Sequence, residues 1–216
     1  GRVTGMEQQD ILSMTLPELQ AAVQELGEPK FRAKQIFNWL HQKRVTDFSE
    51  MTTLSLPFRE RLASDFCINR LKIAKRLASS VDDTVKYLYE LPDGNYVETV
   101  CMQYHHGTSL CISTQVGCRM GCRFCASAIA GFVRNLTPAE MLLQIYETER
   151  AQNCKISSLV LMGIGEPLDN FDNVLRFLQL LSDPNGYGMS LRHVTVSTCG
   201  VVPKILELAE QRLGLT

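Results

Sequence analysis

From residue 109 onward, the sequence alternates short apolar segments with longer amphipathic ones, and this pair is repeated three times. The apolar segments are "SLCISTQV" (109–116), "ISSLVLMG" and "HVTVSTCG", and each is typical of a β-strand. A helix is predicted after each strand: the first is opened by Thr137, the second covers roughly 170–181, and the third follows Pro203. Strand–loop–helix units in series predict an α/β fold with a parallel sheet and right-handed crossovers.

Each predicted strand is followed by a loop that carries an unusual motif. The first loop contains "CRMGCRFC", the second contains "GIGEP", and the third begins with "STCG". In parallel α/β sheets the loops after the carboxyl ends of the strands hold the reacting groups. The sequence therefore predicts one functional site to which all three loops contribute.

The part of the chain before residue 109 has a different pattern. "TLPELQAAVQEL" begins with the capping residue Thr15 and a first-turn proline, and "SLPFRERLASDF" predicts another helix. Between them, "FRAKQIFNWL" places apolar residues on one helical face, which we predict to be core: Ala33, Ile36, Phe37 and Leu40. Residues 84–104 instead alternate with a period of two around a "PDGN" turn, which predicts a β-hairpin.

The composition is that of a soluble protein, with 45% hydrophobic residues and a net charge of −1 in 216 residues. No apolar run approaches the roughly 20 residues of a membrane span, and no signal peptide is visible, so we expect a cytoplasmic protein without membrane contact. The net charge gives no global attraction to nucleic acid. A local basic segment, 29–46, offers Arg32 and Lys34 as RNA contacts, although such residues could equally form a solvated face.

The spacing of Cys118, Cys122 and Cys125 indicates a metal centre rather than disulfides. A structural zinc site requires four protein ligands, and Cys111, among others, could be the fourth. Three thiolates instead suit a [4Fe–4S] cluster in which one iron stays open for another ligand. The spacing favours the iron–sulfur cluster and leaves zinc as the alternative.

The longer segments "CISTQVGCRMGCRFCASAIAGFVRNLTPAE", "LVLMGIGEPLDNFDNV" and "HVTVSTCGVVPKI" resemble the radical-SAM RNA methyltransferases that methylate C2 of adenine in large-subunit ribosomal RNA and in tRNA. "GEPKFRAKQIFNWLHQK" resembles their N-terminal domain. The resemblance implies a partial (β/α)6 radical-SAM barrel with three βα units. It divides the chain into a helical RNA-binding-type domain (1–75), a β-hairpin connector (76–108) and the first half of the barrel (109–216).

The resemblance also implies roles for individual residues. The cluster ligands it implies are Cys118, Cys122 and Cys125, and the S-adenosylmethionine (SAM) contacts it implies are Gly165, Glu166 and Ser197. Cys111 matches the cysteine that resolves a covalent RNA–protein adduct, and we expect its thiol to be reactive. Glu98 matches the proton acceptor. On the residues alone, a strand cysteine such as Cys111 is usually a small buried side chain, and a strand glutamate such as Glu98 is usually a solvated residue, so both roles depend on the resemblance.

The implied activity uses two SAM molecules, one to methylate a protein cysteine and one to generate the radical that drives transfer. The implied partners are 23S rRNA, tRNA and an external electron donor, and the complete enzyme is expected to be a monomer. No residue here matches the methyl-carrying cysteine, so we expect these 216 residues to be part of a longer enzyme and unable to methylate RNA alone. We also expect an unpaired edge at the third parallel strand. Two alternatives remain: methylation of adenine at C8, and a zinc-stapled RNA-binding module without catalysis.

Overall fold

The computed structural model describes residues 8–116, 134–161 and 170–196. Its N-terminal part is mainly helical, with two short parallel strands at its ends. The elements are β1 (Gln9–Asp10), a 3-10 turn (Ile11–Ser13), α1 (Leu16–Glu25), α2 (Phe31–His41), a 3-10 turn (Phe48–Glu50), α3 (Leu56–Asp65) and β2 (Phe66–Cys67).

The three N-terminal helices confirm the predictions from local sequence. The side chain of Thr15 accepts a hydrogen bond from the backbone amide of Glu18. The side chain of Glu18 in turn accepts one from the backbone amide of Thr15, which forms a capping box at the start of α1. Ser55 caps α3 in a similar way through the amide of Phe58. The apolar face predicted for α2 is buried in full: Ala33, Ile36, Phe37 and Leu40.

The part of the chain after β2 contains one six-stranded sheet. Its strands are β3 (Lys72–Ala78), β4 (Thr84–Glu90), β5 (Tyr96–Tyr104), β6 (Gly107–Ile112), β9 (Ser158–Leu161) and β10 (Val194–Val196), in the spatial order β10-β9-β6-β5-β4-β3. The first three strands in that order are parallel, and the remaining pairs are antiparallel. The predicted hairpin is thus continuous with the parallel strands, and β3 extends it by a strand that the sequence did not indicate.

The prediction of one strand over 109–116 is wrong. β6 ends at Ile112, and a separate short strand, β7 (Gln115–Val116), pairs with β8 (Arg134–Asn135). The break lies at Ser113, whose backbone amide and carbonyl both bond to the side chain of Gln144 instead of to a neighbouring strand.

Two helices, α4 (Pro138–Gln152) and α5 (Phe171–Ser182), complete the βα units that the structure describes. α4 packs on one face of the sheet, where alternate strand residues are fully buried, among them Val97, Thr99, Leu110 and Ile112. The opposite face carries no helix among the described residues, and its side chains are half-buried or exposed apart from the buried Ser109. Across the same ranges, every helix is too short or too polar to cross a membrane.

Candidate functional site

The three parallel strands end side by side. Ile112 pairs with Leu161, and Leu161 pairs with Val196, so the last residues of β6, β9 and β10 form one row across the sheet. The three motifs follow these residues closely in the sequence. The motif residues Cys118, Cys122, Cys125, Gly165, Glu166 and Ser197 lie outside the described residues. All three loops nevertheless follow strand ends that lie at the same edge of the sheet, as expected from the α/β pattern.

The segment that carries the three cysteines also leaves and returns at one place. β7 and β8 flank it and pair antiparallel, with Val116 opposite Arg134. Asn170, at the start of α5, holds both sides by donating to the carbonyls of Thr114 and Leu136, each at 2.9 Å. The described residues contain no cluster of three or more potential metal ligands.

Glu98 and Cys111 lie on the same face of the sheet. Cys111 is directly opposite Val100, and Glu98 precedes Val100 by two residues on β5, which places both side chains on the open face. Both are half-buried. The sequence predicted these two residues for the site, and the structure brings them to neighbouring strands at the end where the parallel strands finish.

The environment of Cys111 does not favour the reactive thiolate. Burial raises the pKa of its thiol above the ordinary value, and no charged group is found to counter this effect within the described part of the chain. The free thiol therefore stays protonated near neutral pH, and the expected reactivity requires a group that removes its proton.

Gln144 fixes the backbone around these two residues, and sequence reasoning missed it. Its side-chain oxygen accepts from the amide of Ser113 and from the hydroxyl of Thr99, and its nitrogen donates to the carbonyl of Ser113, all at 2.9 Å. The hydroxyl of Ser113 in turn donates to the carbonyl of Glu98 at 2.7 Å. The available signal was a glutamine on the apolar face of a predicted helix, between Met141 and Thr148.

Arg134, on β8 beside the cysteine segment, is held by two carboxylates, as Asn170 is held by two carbonyls. Its guanidinium makes two bonds to the carboxylate of Glu140, at 2.7 and 2.6 Å, and one to Asp93 at 2.7 Å. Glu140 also accepts from the amide of Thr137 in the capping box that opens α4. The bond from Arg134 lowers the pKa of Asp93 to about 2, so this carboxylate is ionised at physiological pH. The β4–β5 turn is thereby tied to the start of α4.

The two residues proposed to contact RNA lie on α2. Lys34 is exposed, whereas Arg32 is half-buried, bonds to Gln35 at 3.0 Å and lies 4.8 Å from the ring centre of Phe31. Their contact with RNA remains a prediction.

Comparison with known proteins gives matches over both parts of the chain. Residues 9–68 match the family profile described as "Ribosomal RNA large subunit methyltransferase N-terminal domain", and residues 112–213 match "Radical SAM superfamily". The chain is 52% identical, over 97% of its length, to the "Probable dual-specificity RNA methyltransferase RlmN" of Lachnoclostridium phytofermentans. It is 48% identical, over 96% of its length, to the protein of the same name from Clostridium novyi.

A solved structure gives the same result for the fold. The crystal structure of a radical SAM methyltransferase from Sphaerobacter thermophilus superposes with a TM-score of 0.81 at 35% identity, over 93% of this chain and 60% of that one. This likeness confirms the predicted α/β class and partial barrel. The chain spans 59% and 60% of the lengths of the two curated relatives above.

Proposed function

Because the chain belongs to the RlmN family of radical SAM RNA methyltransferases, we propose that the complete enzyme methylates C2 of adenine in 23S rRNA and in tRNA. The observation that supports this most is the row formed by Ile112, Leu161 and Val196. Each of these strand ends is followed by one of the three motifs, so residues from all three loops can serve one site. The substrates are part of the proposal, since only the family match indicates them.

The donor set fits an iron–sulfur cluster that binds SAM. Cys118, Cys122 and Cys125 supply three thiolates from a segment whose two ends are paired through β7 and β8. Three thiolates satisfy three irons of a [4Fe–4S] cluster and leave the fourth for SAM. When bound, the cluster supplies the electron that cleaves SAM to an adenosyl radical. Gly165, Glu166 and Ser197 are proposed to contact SAM.

The open face of the sheet supplies the remaining groups. Glu98 is proposed to accept the proton that leaves C2 of adenine. The thiolate of Cys111 is proposed to attack the sulfur of the cysteine that carries the covalent RNA adduct, and no residue of this chain matches that cysteine. A disulfide forms between the two sulfurs as the bond from the adduct sulfur to the transferred carbon breaks. The electron pair of the broken bond passes to the carbon attached to C2, which takes up a proton and becomes the methyl group. Because burial raises the pKa of Cys111, its thiol must lose a proton at this step. Gln144 positions both residues through Ser113 and does not itself touch the reacting atoms.

Anaerobic reconstitution tests the cluster assignment. The wild-type chain should bind iron and sulfide at about four each, with broad visible absorbance. Cys118→Ala, Cys122→Ala and Cys125→Ala should each lose the cluster, whereas the matched control Cys111→Ala should keep it. Loss of iron in Cys111→Ala would show that the ligand assignment is wrong, and stoichiometric zinc in the wild type would contradict the proposal.

Mass spectrometry of the modified nucleoside tests the position of methylation. The proposal predicts 2-methyladenosine in 23S rRNA and tRNA treated with the active enzyme. Formation of 8-methyladenosine would instead assign the protein to the related C8 activity.

A further inference from the structure

The open face of the sheet continues beyond the candidate site to the edge strand β3. Pairing between strands places residues of this face in rows. One row contains Lys75, Leu88 and Glu98, and the next contains Lys86, Val100 and Cys111. Since neighbouring strands lie about 4.8 Å apart, Lys75 is roughly 10 Å from Glu98, and Lys86 is at a similar distance from Cys111.

Three lysines on this face are available for an anionic ligand. Lys72, Lys75 and Lys86 are all exposed. Among the residues that the structure describes, none of the three lies within 4.0 Å of a carboxylate oxygen. The carboxylates on this part of the face are Glu90, opposite Lys72, and Glu98 at the candidate site. The face is therefore locally positive in a chain whose net charge is −1.

An exposed aromatic ring lies beside the lysines. Tyr96 is 44% exposed, and it shares the row of Lys72 and Glu90. It precedes Glu98 by two residues on β5, so the two side chains point to the same face about 7 Å apart along the strand. Lysines that contact phosphates and an aromatic ring that stacks on a base are the combination with which proteins bind unpaired RNA.

We propose that the open face of β3, β4 and β5 binds the unpaired RNA strand next to the target adenine, with Lys72, Lys75 and Lys86 on its phosphates and Tyr96 stacked on a flanking base. This inference rests on the proposed function, which places the adenine at Glu98 and Cys111. The strand enters over the sheet edge at β3 and continues toward the candidate site.

The charge on β3 disfavours a second copy of the chain as the occupant. Lys72, Lys75 and Arg76 all lie on this edge strand. Positive side chains on an edge strand oppose pairing with an identical strand, because the two sets of charges would repel each other. The same charges attract a polyanion.

Salt-dependent binding of a fluorescently labelled, unpaired RNA oligonucleotide with a central adenine tests the proposal. Lys72→Gln, Lys75→Gln and Lys86→Gln should each reduce the slope of log K against log [salt] by about 0.7. Tyr96→Leu should weaken binding roughly tenfold with little change in slope. Two matched controls should bind like the wild type: Lys155→Gln, which precedes β9, and Tyr104→Leu, which lies on the same face at the far end of β5.

The outcomes separate this inference from the proposed function. If the wild type binds RNA and the four variants bind as it does, the RNA contacts another surface and this inference is overturned, while the proposed function stands. If the wild type does not bind RNA, the proposed function fails and the inference fails with it. An RNA-independent dimer that the lysine changes dissociate, measured by sedimentation velocity, would show that the face binds a second copy and would overturn the inference.

Discussion

Replacement of Gln144 by leucine should destabilise the fold more than any single hydrogen bond would suggest. Gln144 is completely buried, as are Thr99 and Ser113. Gln144→Leu keeps a similar side-chain volume but removes every polar atom. Three buried groups then lose the partner they have in the structure: the hydroxyl of Thr99, the amide of Ser113 and the carbonyl of Ser113.

The expected loss of stability follows from the number of buried polar groups that are left without a hydrogen-bond partner. A buried polar group without a partner costs about 1–3 kcal/mol, so three such groups would cost about 3–9 kcal/mol in total. Burial of the leucine side chain offsets about 2 kcal/mol. Since losses above about 4–5 kcal/mol are exceptional for one substitution, we expect a decrease of about 3–5 kcal/mol in the free energy of unfolding. Thr99→Val removes only one of the bonds and should cost about 1 kcal/mol.

Urea unfolding followed by far-UV circular dichroism measures both variants against the wild type. Hydrogen exchange should also show faster exchange of the Ser113 amide in Gln144→Leu, because that amide has lost its acceptor. If Gln144→Leu costs no more than Thr99→Val, the three bonds do not hold the break between β6 and β7. Protection of Ser113 equal to that of the wild type would refute the reasoning independently.

Two further predictions concern buried charge and protonation. Burial lowers the pKa of His41 to about 3 from 6.5, and its Nδ1 lies 2.7 Å from the hydroxyl of Tyr146. The neutral histidine therefore contributes stability above pH 6.5 that is lost as the pH falls toward 3, and thermal melts should show that His41→Gln flattens this dependence. Arg134→Met leaves the buried carboxylate of Glu140 unpaired and should cost about 2–4 kcal/mol in urea unfolding. Removal of the exposed pair of Arg176 by Arg176→Met should cost less than about 1 kcal/mol, and equal losses for the two arginines would contradict the burial argument.

Elements with local signals were predictable from the sequence. The capped starts of α1 and α4 are set by residues within one helical turn, as the capping boxes at Thr15 and Thr137 show. The alternation of Tyr87 and Tyr89 likewise identified β4 and the face it buries. At the two helix starts, the sequence segment contains both the signal and the contact that produces it, whereas the two tyrosines bond to Thr148 and Gln152 of α4.

Elements that depend on distant contacts were not predictable in this way. Every residue of β3 is exposed, so its sequence has no buried alternation, and only pairing with β4 makes it a strand. The end of β6 depends on Gln144, which lies 31 residues from Ser113 in the sequence. Nothing in "SLCISTQV" itself indicates that a helix side chain interrupts the pairing.

The same distinction applies to the candidate site. Its motifs and the parallel order of the strands that precede them follow from sequence patterns. The anchors do not, because Asn170 and Arg134 act through partners far away along the chain. The raised pKa of Cys111 is also a property of its buried surroundings.

Cleavage of SAM by the reconstituted chain tests the central claim most directly. After anaerobic loading with iron and sulfide and addition of a strong reductant, the wild type should convert SAM to 5′-deoxyadenosine and methionine, which liquid chromatography and mass spectrometry quantify. Cys122→Ala, treated identically, should release neither product. A wild-type chain that binds zinc stoichiometrically and leaves SAM intact would contradict the claim that this fold carries radical SAM chemistry.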